Sequence, residues 1–456
     1  MRLGLKALMV LALTLAILVP LTMIRGTINE RESYRAEAVA SVARSTAGEQ
    51  SFAGPTLVVP YTQVVEVAER DQAGVEHVVR KTRERQWLYF PKTLDVAGTL
   101  HPELRSRGIY DVRVYEWRGV ASGSFDVQIP ATDDTVISRV IGWPWLSVAI
   151  GDVRGLRGKP ELTVDGRAFD IKQGVGSRGG EGIHVRLDAV SAGQRLKLET
   201  RFVFTLAGTE QLTVIPLGDD NHVRLSSSWP HPSFVGTLSP GRLAVDGSGF
   251  SAEWNLPALA TNSQRQYRRG MDAADGRREE AGRVADSSAL ASVDSVQLQL
   301  IEPVDIYAQS DRATKYGLLF VGLTFVGFFM FELIKQLRIH PIQYVLVGLS
   351  LAIFFLLLVS LSEHMGFGIA YLAASAACIG LLGFYLSAVL RSAWRGTGFA
   401  IMLATLYGAL YGLLVSENNA LVLGAGLLFV ILAAIMVITR KVDWYRVSGG
   451  QSTSMH

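Results

Sequence analysis

Cysteine is nearly absent from this sequence of 456 residues: there is one, Cys378. No intramolecular disulfide can form, so any exported part of the chain must hold itself together by burying a core. Signatures of catalysis are missing too. Between positions 25 and 316 there is no H-E-x-x-H, no G-x-S-x-G and no cysteine nucleophile. The histidines of that stretch (His77, His101, His184, His222 and His231) are scattered and do not fall at metal-ligand spacings. The expectation is a non-enzymatic protein with no cofactor and no metal.

Charge is the next scarcity, and it is local. Positions outside 25–312 carry 10 Lys+Arg and 4 Asp+Glu, against 34 and 37 inside. The net charge of +3 therefore sums two different surroundings and is not a basic surface. It gives no reason to expect a nucleic-acid partner.

The charge-poor part is organised as long apolar runs. Positions 317–334 contain one charge, Glu332, and the runs 342–361, 367–390, 399–415 and 420–439 contain none. A helix crosses the hydrocarbon core with about 20 apolar residues, and lipid leaves the backbone few other ways to satisfy its hydrogen bonds. These five runs read as transmembrane helices two to six. The first is 7–24, preceded by Arg2 and Lys6. Its apolar stretch exceeds the usual signal-peptide core of about 7–15 residues. It also exits into Arg25-Gly26-Thr27 without a small-x-small site, so it reads as an uncleaved anchor, kinked by Pro20.

Orientation follows from the short loops. Lys335, Arg338, Arg391, Arg395, Arg440, Lys441 and Arg446 lie on one side; the loops on the other side carry Glu363 and Glu417 and no cation. Both termini, 1–6 and the tail 440–456, are then cytoplasmic, and 25–316 is extracytoplasmic. The bilayer itself is the first expected partner.

Within 25–316, positions 28–50 are charged and Ala-rich and read as a short surface helix. From Pro55 the apolar period becomes two. Strands are expected at 56–69 and 75–90, paired about Asp71-Gln72-Ala73-Gly74, and at 110–127, 146–150, 161–171, 183–187, 196–206, 211–215, 222–226 and 293–307. Many strands with turn signals predict a membrane protein of α+β class, whose large β-rich domain is antiparallel and sandwich-like, as one body or two. Positions 261–288 hold Arg268, Arg269, Arg277, Arg278, Glu279 and Glu280 with almost no large apolar residue, which predicts a mobile excursion.

Gly174-Val175-Gly176-Ser177-Arg178-Gly179 matches G-x-G-x-x-G, but a strand follows it where a dinucleotide site needs a helix, so it reads as a turn. Gly158-Lys159-Pro160 lacks the remaining features of a phosphate loop. Asp133-Asp134 and Asp219-Asp220 read as turns before strands.

Ionisable groups in membrane segments are candidates by default. Glu332 sits near Lys335, a pairing at the headgroup level, or belongs to a proton or ion relay. Glu363 and His364 close helix three, solvated at the interface or functional. Ala404, Gly408 and Gly412 on helix five, with Ala373, Ala376, Ala377 and Gly380 on helix four, have the spacing of tight helix contacts. Tyr316, Trp394, Trp444 and Tyr445 suit interfacial belts.

Several motifs recur together: Gly151-Asp152-Val153-Arg154-Gly155, Ser228-Trp229-Pro230-His231-Pro232-Ser233-Phe234, Asp311-Arg312-Ala313-Thr314-Lys315-Tyr316, His340-Pro341-Ile342-Gln343-Tyr344, Leu346-Val347-Gly348-Leu349-Ser350-Leu351, Ser362-Glu363-His364 and Asp443-Trp444-Tyr445. On these the chain resembles the CreD inner-membrane protein family of Gram-negative bacteria over essentially its whole length, apart from the charged stretch 261–288. The resemblance implies a periplasmic location for 25–316 and a role in cell-envelope integrity. It also implies a link to a two-component envelope-stress response and β-lactam susceptibility. It brings no catalytic residue and no ligand; peptidoglycan, another envelope component or an envelope protein is the expected partner. Trp229-Pro230-His231-Pro232 is rigid and aromatic-tipped, either a docking edge or a buried corner. Arg312 and Lys315, beside Asp311, are placed to pair with lipid phosphates or with Glu363. A transport reading uses Glu332, Glu363 and His364. An enzymatic one requires Asp152, Arg154 and His231 with their neighbours to converge in one cleft.

Overall fold

The structure is a computed structural model that describes residues 3–70, 76–131, 138–176, 181–271, 293–302, 306–335, 340–389, 392–416 and 420–440. The chain divides into two compact units, Met1–Arg35 with Val304–His456 and Ala36–Pro303.

The second unit is built from strands β1 Gln50–Arg70, β2 Glu76–Tyr89, β3 Thr93–Arg107, β4 Tyr110–Gln128, β5 Ser138–Ile141, β6 Trp145–Ile150, β7 Leu156–Val164, β8 Arg167–Ala168 and β9 Lys172–Gln173. They continue with β10 Gly182–Arg186, β11 Arg195–Thr209, β12 Gln211–Ile215, β13 Asp220–Ser227, β14 Pro232–Phe234, β15 Arg242–Asp246, β16 Gly249–Pro257 and β17 Val296–Leu300. One sheet runs β14-β17-β12-β1-β6-β10-β9, with β2 and β5 also paired to β1; the other runs β15-β16-β13-β3-β4-β11-β7-β8. Both sheets bury residues in one hydrophobic cluster, where Phe52 meets Trp117 at 5.5 Å and Phe204 at 5.2 Å between ring centroids. Local chemistry sets the turns. Asp165-Gly166, with φ of 51° and 78°, joins β7 to β8 with the mirror-image turn that suits strand twist.

The expected strands from 56 to 226 are present except that 161–171 is not one strand, since β7 ends at Val164 and β8 covers only Arg167–Ala168; β1 and β2 pair antiparallel from Leu57↔Tyr89 to Arg70↔Glu76, and the turn residues 71–75 lie outside the described residues. A β-strand follows Gly176, as a turn reading requires, and Asp219-Asp220 does stand at the entry to β13. Asp133-Asp134 and Ser177-Arg178-Gly179 are not described. Three expectations need correction. The sheets are not wholly antiparallel: β1 pairs parallel with β12, and β13 with β3. Strand structure near 293–307 stops at Leu300, and Ile306 already begins a helix. The charged stretch does not start as a loose excursion: positions 263–271 form helix α3. Its Tyr267, 3% exposed, packs with Ala53, Ile215 and Leu217, and Met271 joins that cluster. Two apolar side chains one turn apart suffice to fix a short helix on a sheet face. The remainder, 272–292, is outside the described residues.

The first unit is helical. α1 Leu3–Ala16 and α2 Leu18–Ser45 are separated at Ile17. Pro20 has no N–H for the Ala16 carbonyl, so the interruption falls one turn before the proline. The short surface helix expected at 28–50 is no separate element: it is the second half of α2. The other helices are α4 Ile306–Lys335, α5 Pro341–Ser362, α6 Phe367–Val389, α7 Ala393–Val415 and α8 Ala420–Thr439. Five helices among the described residues have the length and composition to cross a membrane: the N-terminal one and α4 to α7. α8 adds an apolar stretch, Val422–Ala433. α4 starts eleven residues before the apolar run, so Asp311, Arg312 and Lys315 are helical.

Aromatic rings fill the bundle. Phe320 and Phe354 stand 4.6 and 4.7 Å from Tyr407, and Phe328 4.7 Å from Tyr344. The small-residue stripes are not the contacts expected of them. Ala404, Gly408 and Gly412 of α7 are exposed, as are Ala373, Ala376, Ala377 and Gly380 of α6. A Cβ on Gly380, Gly408 or Gly412 would meet nothing within 4 Å. The close α6–α7 approach uses other small residues: a Cβ on Gly383 would stand 3.2 Å from Ala400 Cβ, and one on Gly396 2.6 Å from Ser387 Cβ.

Candidate functional site

In the two-sheet unit the strongest polar knot surrounds Asp152, at the N-cap of a single 3-10 turn, Val153–Gly155, between β6 and β7. Its side chain, 14% exposed, accepts hydrogen bonds from Gly48 N (3.0 Å), Arg154 N (3.0 Å), Arg154 Nε (2.9 Å) and Arg154 Nη2 (2.6 Å). Arg154 Nη1 in turn donates to the carbonyl of Arg44 near the end of α2, at 3.1 Å. Fully buried Gln50 closes the knot. Its Nε2 donates to the carbonyls of Asp152 and Ala207, and its Oε1 accepts from Asp152 N. Burial alone would raise the Asp152 carboxyl, but the hydrogen bonds from Arg154 and Gly48 prevail and hold it below the ordinary value. Asp152 also pushes nearby Glu181 upward, after burial as the larger cause; Glu49 is raised by burial and then by Glu210.

The second knot forms on Trp229, which packs half-buried against the main core. Its Nε1 donates to the carbonyls of His231 (3.1 Å) and Ile301 (3.0 Å). The guanidinium of Arg113 lies 4.7 Å from its ring centroid. Arg113, 3% exposed, donates to Leu300 O (3.2 Å) and to Glu302 Oε2 (2.8 Å). Trp229-Pro230-His231-Pro232 fits neither alternative outright: Trp229, Pro230 and Pro232 are half-buried and His231 is exposed, with the His231 ring against Trp229 at 6.1 Å. Asp152 and His231 share no partner, so the structure does not join them into one site.

In the helical unit, Asp311 accepts from Lys315 Nζ (2.6 Å) and from Arg25 Nε (3.1 Å). Glu363, 9% exposed, pairs with Arg31 Nε at 3.4 Å and accepts from Tyr307 OH at 3.4 Å. Lys315 therefore takes Asp311 and not Glu363. Arg312 Nε donates to Ala308 O at 3.4 Å. His364 is exposed. Glu332, 3% exposed, accepts from Tyr344 OH at 2.9 Å; the side chain of Lys335 lies outside the described residues. The two knots drew on groups not singled out in sequence, Gln50 and Arg113, and Glu363 on two more, Arg31 and Tyr307. Arg113 alone left a local signal. It sits in a run, Val112 to Tyr115, buried at every position, where a charge needs a buried partner. No group of three His, Cys, Asp or Glu side chains suited to a metal occurs among the described residues.

Against known proteins, the family described as Inner membrane protein CreD matches residues 2–445. Inner membrane protein CreD of Escherichia coli (strain K12) is 35% identical over 437 residues, which covers 95% of this chain and 92% of that protein. Yeast LTA4 hydrolase in complex with bestatin overlaps 37% of this chain and 27% of its own, at 8% identity and a TM-score of 0.15, a likeness too slight to inform fold or function. Aligned almost from end to end with its relative, this multi-helix membrane protein belongs to the CreD inner-membrane protein family.

Proposed function

We propose that the chain spans the inner membrane six times, with both termini cytoplasmic and the two-sheet unit in the periplasm as a sandwich-like receptor. Its role is to support envelope integrity and the envelope-stress and β-lactam response by binding, without catalysis. The observation that carries this reading is an exposed aromatic and cationic pair between β5 and β6, beside β10. Trp143 is 50% exposed with Arg186 4.2 Å from its ring centroid. Nearby in the chain, Arg139 lies 5.5 Å from the Tyr61 ring and 5.4 Å from that of Trp87, and these two rings stack at 4.1 Å. Tyr61 and Trp87 are half-buried, but an exposed ring backed by a guanidinium, as at Trp143 and Arg186, suits sugar faces and carboxylates, the chemistry of peptidoglycan. Isolated sacculi should co-sediment the full chain in detergent, and Trp143→Ala with Arg186→Ala should reduce the bound fraction several-fold. Binding equal to that of an unrelated membrane protein would remove the reading for peptidoglycan, and the same pair of substitutions on membrane cross-linking would then test a protein partner.

A transport reading has one observation in its favour, the burial of Glu332 in a segment that crosses the membrane. If Glu332→Gln, Glu363→Gln and His364→Ala all complement a deletion strain on β-lactam plates as well as wild type does, that reading is finished.

A further inference from the structure

β2 is an edge strand. Among the described residues it pairs with β1 alone, from Leu57↔Tyr89 to Arg70↔Glu76, and no strand lies on its other side. Val78 to Arg85 are exposed at every position, so neither face of this stretch is covered. Such an edge presents unpaired N–H and C=O groups along its length, a template for one more strand.

Its charge is sorted by face. Successive side chains of a strand point to opposite sides. Lys81, Arg83 and Arg85 therefore share the side of Trp87 and Tyr89, which pack on the core. Same-side residues stand about 7 Å apart. Their β1 neighbours Val65, Gln63 and Tyr61 bring no carboxylate. Arg139 of β5, in register with Gln63, adds a cation that lies over the Tyr61 and Trp87 rings and donates to the Ala131 carbonyl. On the opposite side Arg80 pairs with Glu66 at 3.4 Å, and Thr82 and Glu84 follow. Lys81 has a contact of its own. The charge open to a ligand is that of Arg83 and Arg85, whose side chains make no ion pair or hydrogen bond among the described residues.

Chemistry discriminates among three occupants of this edge. A second copy of β2 would set cation against cation, which is destabilising. Lys and Arg protect many natural edges in that way. Val78 and Val79, however, are 68% and 38% exposed, and a purely defensive edge has no use for apolar side chains. A flat anionic surface meets the arginines poorly, because they lie on the side of the sheet that carries the core. An extended chain reaches them in the plane of the sheet. Its main chain bonds to the edge, and alternate carboxylates fall opposite Arg83 and Arg85.

We propose that the β2 edge binds, by strand addition, an extended segment of a protein partner with acidic residues at alternate positions. The site uses neither Trp143 nor Arg186, and its failure would leave that pair untouched. The test follows the fluorescence anisotropy of labelled peptides of about nine residues mixed with the full chain in neutral detergent. One peptide alternates glutamate with valine or threonine; a second has the same composition with its glutamates in one block. The alternating peptide should bind several-fold more tightly. N-methylation at every residue, which removes the main-chain donors at constant charge, should abolish its binding. Both comparisons use the wild-type chain. Arg83→Gln with Arg85→Gln should weaken the alternating peptide about three- to tenfold, as two cross-strand ion pairs contribute. Equal binding of the alternating and block peptides overturns the proposal, as does binding that survives N-methylation or an affinity untouched by the arginine substitutions. Displacement by soluble polyphosphate as readily as by unlabelled peptide also overturns it, since the face would then be a site for a phosphate polymer.

Discussion

Asp152→Ala should lower the thermal stability of the two-sheet unit by an amount that the geometry fixes within limits. The substitution removes one acceptor from four N–H groups, two of them on the backbone of Gly48 and Arg154. Leaving two backbone donors without a partner costs about 1 kcal/mol each or somewhat more. The ion pair adds little, because Arg154 is 59% exposed and solvent screens it. The two backbone donors, about 2–3 kcal/mol together, correspond to a fall of about 4–12 °C for a unit of this size. The pH dependence has a fixed sign. A carboxyl held below its ordinary value contributes stability above the unfolded value of about 3.9 and loses it as pH falls through the folded value. The gap between wild type and Asp152→Ala should thus be full at neutral pH and narrow below about pH 4. Tryptophan fluorescence during heating of the detergent-purified chain reads both. A double-mutant cycle with Arg154→Ala should show the two losses to be less than additive. A melting temperature within 1 °C of wild type at neutral pH, or a gap that widens in acid, would refute the reasoning.

Gly155→Ala has no room: its Cβ would meet the Ala207 carbonyl and Gln50 Nε2, and the membrane yield should collapse, whereas Gly241→Ala, with only Glu253 O at 3.8 Å, should express as wild type. Trp229→Phe keeps the ring over Arg113 but loses the donor to the carbonyls of His231 and Ile301. It should cost about 1 kcal/mol, and a stability unchanged in urea would count against a structural role for Trp229. Tyr344→Phe removes a donor from the buried Glu332 carboxylate and should cost about 1–3 kcal/mol; an unaltered melting curve in detergent would show that this hydrogen bond contributes nothing.

Legibility in sequence tracked how local the cause was. The membrane helices were readable because lipid imposes length on each segment alone, and α5 and α6 begin and end within a residue of their apolar runs. The start of α4 was not readable, since Ile306 to Lys315 is polar enough to look like a linker. Strands with clear alternation, such as β4 and β11, were visible. β15, exposed at all five positions, had no pattern to see and exists because β16 lies beside it. The parallel pairings of β1 with β12 and β13 with β3 join segments far apart in the chain, and no local period encodes them. The site residues divide in the same way. Asp152 and Arg154 are two positions apart and were found together; Arg31 and Glu363 meet only after folding.

Asp443-Trp444-Tyr445 lies outside the described residues, but other motifs on which the family resemblance rests are described. Asp152 and Arg154 tie the end of α2 to the turn between β6 and β7. Trp229 pins the β13–β14 corner to the carbonyl after β17. His340 and Gln343 form a capping box at the start of α5, where Nδ1 of His340 accepts from Ile342 N and Oε1 of Gln343 from His340 N. Asp311 and Glu363 each hold a cation of α2. The capping box is local, but the contacts of Asp152 and Arg154, of Trp229, and of Asp311 and Glu363 are joints between elements distant in sequence, and a joint constrains residue identity as tightly as a reaction does, because its donors and acceptors fit one partner set. Substitution at these positions should therefore lower the amount of folded protein in the membrane in step with any loss of phenotype. Substitution at Trp143 or Arg186, which are exposed, should lower the phenotype at constant abundance. Immunoblots of membranes alongside β-lactam survival separate the two patterns, and a joint variant that stays abundant but inactive would move that residue from architecture to chemistry.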